Sequence, residues 1–175
     1  MPDVTIKIIE PDENLKYEFY LYCEAFRRVH EPARPLEQLA FHDFSAFIKK
    51  LRDASEEIGV PSDYVPASAY WLIRDDKTII GNSSLHHCLN PHLEDFGGHI
   101  GYAIHPFERQ KGYGTLLLKL TLEKAREKGI NNVLITCDAD NTASSGVIIK
   151  NGGRLVSQGI SKQTKKCILR YCIEL

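Results

Sequence analysis

A glycine-rich loop between an apolar strand and a long helical pattern constrains this chain more than any other feature. The stretch from His99 to Thr115 reads HIGYAIHPFERQKGYGT, with apolar residues alternating before Pro106. Glycine lets a backbone approach a ligand closely, and the N–H groups at a helix N-terminus attract anions. The pattern therefore predicts a strand over 100–104, a helix from near Thr115 and, between them, a site for a pyrophosphate.

Two common phosphate-binding motifs do not fit this loop. A P-loop needs the pattern GxxxxGK[ST], but Lys111 precedes both Gly112 and Gly114 and has no glycine at the required distance upstream. A dinucleotide fingerprint needs a third small residue, where Leu117 stands, and an acidic ribose partner after a later strand. A nucleotide-binding protein of another fold therefore stays an alternative hypothesis only.

The six residues Arg109-Gln110-Lys111-Gly112-Tyr113-Gly114 match the pattern [RQ]xxGx[GA]. Between a strand and a helix, this pattern resembles the acetyl-CoA loop of the GNAT superfamily of N-acetyltransferases. A later segment, NTASSGVIIKNGG from Asn141, is similar to the superfamily's Nxx[AS] and KxG motif, which also follows a strand. The resemblance covers residues 70–158 and implies an acetyl-CoA-dependent N-acetyltransferase.

Length and composition are those of an ordinary globular protein. The chain has 175 residues, of which 43% are hydrophobic and 26% charged, and this suits one domain with a sizeable core. We expect a single N-acetyltransferase domain over residues 1–175. The resemblance and the order of elements imply the fold class α/β (α+β), a GNAT-like domain with a mixed, mostly antiparallel central sheet and helices on both faces.

Charge and hydropathy indicate a cytoplasmic protein without nucleic-acid or membrane partners. The formal net charge of −1 gives no basic surface for nucleic acid or anionic lipid. No apolar run approaches the ~20 residues of a membrane span, and the acidic N-terminus is atypical of a signal peptide.

The cysteines and histidines predict no metal site. Five cysteines lack CxxC spacing, and an odd number argues against a disulfide framework, so we expect reduced core thiols. The seven histidines have neither HxxxH spacing nor cysteine partners.

Hydrophobic periodicity and helix-breaking residues predict the remaining elements. Helices are expected over 12–29, ended by Pro32 and Pro35, and over 36–58, 115–129 and 141–151. Strands are expected over 4–9, 69–75, 77–89, 133–137, 154–157 and 166–173, with loops at 61–68 and 89–98. The two N-terminal helices lie where the superfamily has its variable, acceptor-facing segment.

The resemblance also implies which residues bind acetyl-CoA. The backbone of Ala103, Ile104 and His105 is expected to pair with the pantetheine arm. The amides from Gln110 through Gly112, Tyr113 and Gly114 to Thr115 are expected to hold the pyrophosphate, with Arg109 and Lys111 near the phosphates. Asn141 either contacts the pantetheine region or caps a helix. Ser144, with Ser145, occupies the small-residue position and permits close approach.

Catalytic residues are harder to assign, because the two usual proton-transfer positions are apolar. The position of the superfamily's frequent tyrosine acid is Ile148, and the position of a basic glutamate in some relatives is Ile100. The remaining candidates are Tyr102, His99, His87 or His86 on the preceding strand, and a water chain. Cys137 lacks a basic partner at a recognisable spacing, which argues against a nucleophile there.

The sequence thus predicts an enzyme that acetylates an amine by direct attack in a ternary complex. The alternative is a non-catalytic acyl-CoA-binding regulatory module, since both proton-transfer positions are apolar. The acceptor is expected to be a small-molecule or peptide amine, which acidic residues could attract: Glu31, Asp43, Glu94 and Asp95. A homodimer would be usual for the superfamily.

Overall fold

The computed structural model describes residues 5–31 and 36–175. Its helices are α1 Lys16–Arg28, α2 Glu37–His42, α3 Phe44–Ser55, α4 Pro91–Asp95, α5 Tyr113–Glu127 and α6 Thr142–Lys150. Its strands are β1 Ile6–Ile9, β2 Ala67–Arg74, β3 Ile79–His86, β4 Ile100–Ile104, β5 Asn132–Asp138, β6 Arg154–Ile160 and β7 Cys167–Glu174. Two 3₁₀ turns, Glu13–Leu15 and Pro106–Glu108, precede α1 and the glycine-rich loop.

The strands form two antiparallel sheets. One has the order β1-β2-β3-β4 and the other the order β5-β7-β6, so the expected central sheet is divided between β4 and β5. An isolated bridge between Gly98 and Ile135 joins the two halves. The mixed α/β fold class is confirmed, and the division is what creates the candidate site.

The residues of β2 show how the larger sheet separates two helical layers. Trp71 faces the layer of α1 and α3 and stacks on Phe19 at 5.2 Å between ring centroids. Its neighbour Leu72 faces the opposite layer and packs with Ile80 and Leu117 of α5. Successive side chains of a strand point to opposite faces, so this apolar run is buried on both sides by helices.

The single helix expected over 36–58 is wrong. The chain forms α2 and α3 instead, because Asp43 adopts an extended conformation and its side chain accepts the N–H of Ala46 at 2.9 Å. Aspartate competes well for helix-terminal N–H groups, so a second N-cap replaces a continuous helix.

The loop expected over 89–98 contains the short helix α4. Asn90 caps it by accepting the N–H of Leu93 at 2.9 Å, and Pro91 occupies the first helical position. An Asn-Pro pair is a recognised helix-start signal, so the sequence did carry this information.

Other elements lie within a few residues of their predicted bounds. Val4, Pro32 and Pro35 fall outside the described residues.

All five cysteines are free, as expected. Cys88 is exposed in a loop and Cys167 is exposed at a strand end, so the prediction of a core position is wrong for these two. Among the described residues, no helix is both long and apolar enough to cross a bilayer.

Candidate active site

Strands β4 and β5 meet at His99 and are unpaired beyond it. The His99 N–H donates to Leu134 O at 2.7 Å, whereas the His99 carbonyl accepts the N–H of His86 on β3 at 2.7 Å. In a regular strand both groups of one residue point to the same edge, so the backbone is irregular here. Within the described part of the chain no ladder joins the two strands past this point, and a cleft opens between them.

The strand junction requires a glycine at position 98. Gly98 has φ +66, and a Cβ built on it would lie 2.4 Å from the carbonyl oxygen of Leu134. No side chain fits at that distance, and the left-handed conformation is itself unfavourable for other residues. The point at which the cleft begins is therefore fixed by backbone packing.

The open edge of β4 has no partner strand in the part of the chain that the structure describes, and backbone groups on it face the cleft. His105 donates its N–H to Ile80 O on β3 at 2.7 Å. Alternate residues of a strand point their backbone groups to opposite edges, so those of Tyr102 and Ile104 face the cleft. The Ile104 carbonyl accepts from Arg109 Nε at 3.2 Å.

The glycine-rich loop ends at an uncapped helix N-terminus. Gly112 is the N-cap of α5, with φ +84, and its carbonyl accepts the first helical hydrogen bond, from Leu116 N–H. The N–H groups of Tyr113, Gly114 and Thr115 precede that bond, and no side chain caps them. Three amide donors and the positive end of the helix dipole therefore converge here, as an anion site requires.

The basic side chains of this loop bond carboxylates of the same protein. Arg109 donates to both carboxylate oxygens of Glu31, at 2.6 and 2.8 Å. Lys111 donates to Glu108 at 2.8 Å, and Glu108 also accepts from Arg74 at 3.4 Å. The charge of the loop is thus balanced locally, and the amides of α5 are its available anion donors.

A cluster of two hydroxyls and a thiol spans the gap between β4 and α6. The Tyr102 hydroxyl lies 3.0 Å from Ser144 Oγ, and the Cys137 thiol interacts with the same Ser144 side chain. Burial raises the pKa of Tyr102 to about 12, and burial also raises the pKa of the Cys137 thiol. Both groups therefore stay protonated at neutral pH, so Tyr102 can donate a proton and Cys137 is a poor nucleophile.

The first turn of α6 gives Asn141 a capping role. Its Oδ1 accepts the N–H of Ser144 at 3.0 Å, so Asn141 is an N-cap, and its side-chain amide N–H groups remain for a ligand. Ile148, at the position of the superfamily's tyrosine, is fully buried in the core. The phenol of Tyr102 enters the gap from β4 instead.

The three candidate histidines differ in how their rings are held. His99 Nδ1 accepts the N–H of Leu134 at 3.0 Å, so its Nε2 carries the proton, and His87 Nε2 bonds Ser68 Oγ at 2.8 Å. His86 Nδ1 lies 3.0 Å from Gly98 O and must donate to it, since a carbonyl only accepts. Burial lowers the pKa of all three histidines, so each is neutral at pH 7.

Most acidic residues expected to attract an amine have structural partners. Glu31 bonds Arg109, Asp43 caps α3, and Asp95 accepts from Ser161 Oγ at 2.7 Å. The Ser161 hydroxyl and other donors hold the pKa of Asp95 below its usual range. The exposed Glu94 is the remaining member of the set.

The structure also brings together pairs that no sequence spacing signals. Arg109 and Glu31 are 78 residues apart, and Tyr102 and Ser144 are 42 apart.

Two shallow cavities of 360 and 320 Å³ lie elsewhere, beside the end of β1 and the C-terminal turn of α5. Among residues 5–31 and 36–175, no group of three or more His, Cys, Asp or Glu side chains is arranged to hold a metal ion.

Comparison with known proteins identifies this architecture. The chain is 16% identical to the ribosomal L7/L12 alpha-N-protein acetyltransferase RimL, solved with coenzyme A, over 98% of this chain and 94% of that one, with TM-score 0.73. It is 18% identical to the microcin C7 self-immunity acetyltransferase MccE, solved with acetyl-CoA and AMP, over 97% and 92%, with TM-score 0.69. RimJ of Mycobacterium smegmatis, solved with a CoA-disulfide, is 15% identical over 97% and 81%, with TM-score 0.73.

At these identities the solved structures establish the fold, and the family rests on the sequence itself. No curated protein sequence matches the chain. The family model of the acetyltransferase (GNAT) domain matches residues 21–154, which is most of its length. The chain therefore belongs to the GNAT acetyltransferase domain family, as the loop and the later Asn141 motif predicted.

Proposed function

We propose that this protein transfers the acetyl group of acetyl-CoA to an amine by direct attack in a ternary complex, with residues 1–175 forming one catalytic domain. The observation that carries the proposal is the cleft between β4 and β5. It is bordered by a strand edge without a partner strand, an uncapped helix N-terminus and a half-buried phenol. Each of these would contact a different part of acetyl-CoA, which is a long, phosphorylated thioester.

The residues present fit the donor substrate. The amides of Gln110 to Thr115, above all those of Tyr113, Gly114 and Thr115, would hold the pyrophosphate at the α5 N-terminus. The β4 segment Ala103–His105 would receive the pantetheine arm, and within it Ile104, with Tyr102 beside it, turns its backbone groups to the cleft. Asn141 would contribute its free amide N–H groups from the start of α6.

Tyr102 is the proposed proton donor. Acetyl-CoA supplies an activated thioester, and attack by an amine leaves a thiolate that must be protonated. The Tyr102 hydroxyl stays protonated because burial raises its pKa, and Ser144 Oγ is close enough to pass a proton in turn. The buried Ile148 removes the superfamily's usual tyrosine, so a phenol from the opposite wall takes its place.

The histidines divide between positioning and proton acceptance. His99 and His87 each use a ring nitrogen to hold a neighbouring element, and we assign them positioning roles. His86 is oriented by the Gly98 carbonyl, which leaves Nε2 unprotonated in the neutral ring. It is the ring best prepared to take the amine's proton, directly or through water.

A peptide or small-molecule amine is the proposed acceptor. One structural neighbour is named for the α-amine of a ribosomal protein and another for immunity to microcin C7. The first of these names specifies an amine acceptor, and it supports a peptide amine here.

A homodimer is proposed from the outer edge of β6. That edge has no strand partner in the described structure, and Leu155, Val156 and Ile160 are each more than half exposed. Unprotected apolar edges favour pairing with another chain. Light scattering should give twice the chain mass, and Val156→Lys should lower it to the monomer mass.

The test of the proposed function is acetyl-CoA titration by calorimetry, followed by CoA release with a panel of N-terminal peptides, amino acids and polyamines. Binding together with release on one amine supports the proposal. Binding without release on any amine would favour the regulatory module, and preference for ATP over acetyl-CoA in competition would contradict the acetyl-CoA site.

A further inference from the structure

The guanidinium group of Arg109 joins three parts of the molecule. Its Nε donates to Ile104 O at the end of β4, and its two Nη atoms donate to Glu31. The guanidinium carbon also lies 5.7 Å from the centre of the Phe26 ring on α1. A residue of the glycine-rich loop is thereby fixed to the cleft edge of β4 and to the end of the first helix.

This geometry is not that of a phosphate ligand. A two-pronged bond between guanidinium and carboxylate is among the strongest charged interactions in proteins, and it uses the donor fork that a phosphate would need. The pyrophosphate donors are already present as amides of α5. Arg109 is therefore available for another task.

We propose that Arg109 is a positioning residue, whose ion pair with Glu31 holds the pyrophosphate loop and the open edge of β4 in the arrangement that binds acetyl-CoA. The inference rests on the proposed acetyl-CoA site and adds a coupling between that site and the segment after α1.

The two roles of Arg109 predict opposite effects at Glu31. If Arg109 bound phosphate directly, Glu31→Gln would release the guanidinium and remove a negative charge, so acetyl-CoA would bind as well or more tightly. If Arg109 is a positioning residue, Glu31→Gln weakens acetyl-CoA binding, even though the variant removes a carboxylate that repels phosphate. The sign of this change separates the two roles.

The experiment is calorimetric titration of acetyl-CoA into the wild type, E31Q, R109Q, R109K and the E31Q/R109Q double variant. We expect each single variant to bind about 5- to 20-fold more weakly, and the double variant no more weakly than R109Q, because E31Q removes only an interaction that R109Q has already removed. The R109K variant should not restore wild-type affinity, because a lysine ammonium group cannot form the two-pronged bond to Glu31. In every variant, the dependence of acetyl-CoA affinity on salt concentration should match that of the wild type.

A control and a kinetic measurement complete the test. Glu24→Gln removes the same charge from an exposed ion pair with Arg28 on α1, and should bind like the wild type with an unchanged Tm. With an acceptor from the panel, E31Q should raise the KM for acetyl-CoA and leave kcat within about twofold.

Two results would overturn the inference. Unchanged or tighter binding by E31Q, with wild-type affinity in R109K and a reduced salt dependence in R109Q, would make Arg109 a phosphate ligand. A wild type that does not bind acetyl-CoA would instead remove the proposed function, and the inference with it.

Discussion

The hydroxyl of Tyr102 lies 3.0 Å from Ser144 Oγ and so connects β4 with the first turn of α6. This contact holds a protonated phenol in the gap between β4 and α6, where we propose that the departing thiolate takes up its proton. We expect Tyr102→Phe to lower kcat by about 100-fold with little change in the KM for acetyl-CoA, and Ser144→Ala to act in the same direction. The measurement is CoA release with the best acceptor.

Tyr171→Phe is the matched control for that prediction. It removes another buried phenol that bonds the next serine of α6, Ser145, outside the Tyr102 cluster. Wild-type kcat in Tyr102→Phe, or an equal loss in Tyr171→Phe, would rule out Tyr102 as the proton donor.

The raised pKa of Tyr102 predicts a specific loss of stability in alkali. The folded protein holds this proton more tightly than the unfolded chain, whose tyrosines titrate near the ordinary value of 10.0. The contribution is therefore fully present below pH 10.0 and is lost as the pH rises towards about 12. Urea unfolding across this range should show a smaller loss in Tyr102→Phe. An identical loss would contradict the buried position of the hydroxyl.

The lowered pKa of His99 predicts the opposite trend in acid. The folded state takes up this proton less readily than the unfolded chain, so its contribution is present above pH 6.5 and is lost as the pH falls through the lowered value. In urea unfolding, His99→Gln should lose less stability in acid than the wild type does, because glutamine can accept the Leu134 N–H without titrating. His99→Leu should be less stable by about 1–3 kcal/mol even at pH 7.5, because that N–H is left unpaired. Equal stability of both variants at pH 7.5 would show that the bond is dispensable.

The close approach at Gly98 can be separated from its backbone conformation. Gly98 and Gly129 both have positive φ, but only Gly98 would place a Cβ against Leu134 O. We expect Gly129→Ala to cost about 1–2 kcal/mol from conformation alone. Gly98→Ala should cost more in thermal or urea unfolding and should also weaken acetyl-CoA binding, since the cleft begins there. Equal losses of stability in the two variants would mean that the backbone around Gly98 shifts to accommodate the added Cβ.

Local signals explain what sequence reasoning obtained correctly. The strand over 100–104, the glycine-rich turn and the helix that follows depend on residues within a few positions of one another, and each lies close to its predicted place. The errors have local causes too. Asp43 divides the expected second helix because a side-chain cap competes with helix continuation. The Asn90-Pro91 pair starts α4 inside a stretch whose polar residues predict a loop.

The sequence by itself determined the family, the α/β class and the glycine-rich loop between a strand and a helix, because these depend on periodicity and on glycines at fixed spacing. Only the tertiary structure decided which side chains contact one another. Arg109 meets a carboxylate 78 residues away, and Tyr102 meets a serine 42 residues away. Such pairs form where strands and helices are brought together by burial of apolar surface, and no local pattern encodes which polar groups then lie within hydrogen-bond distance.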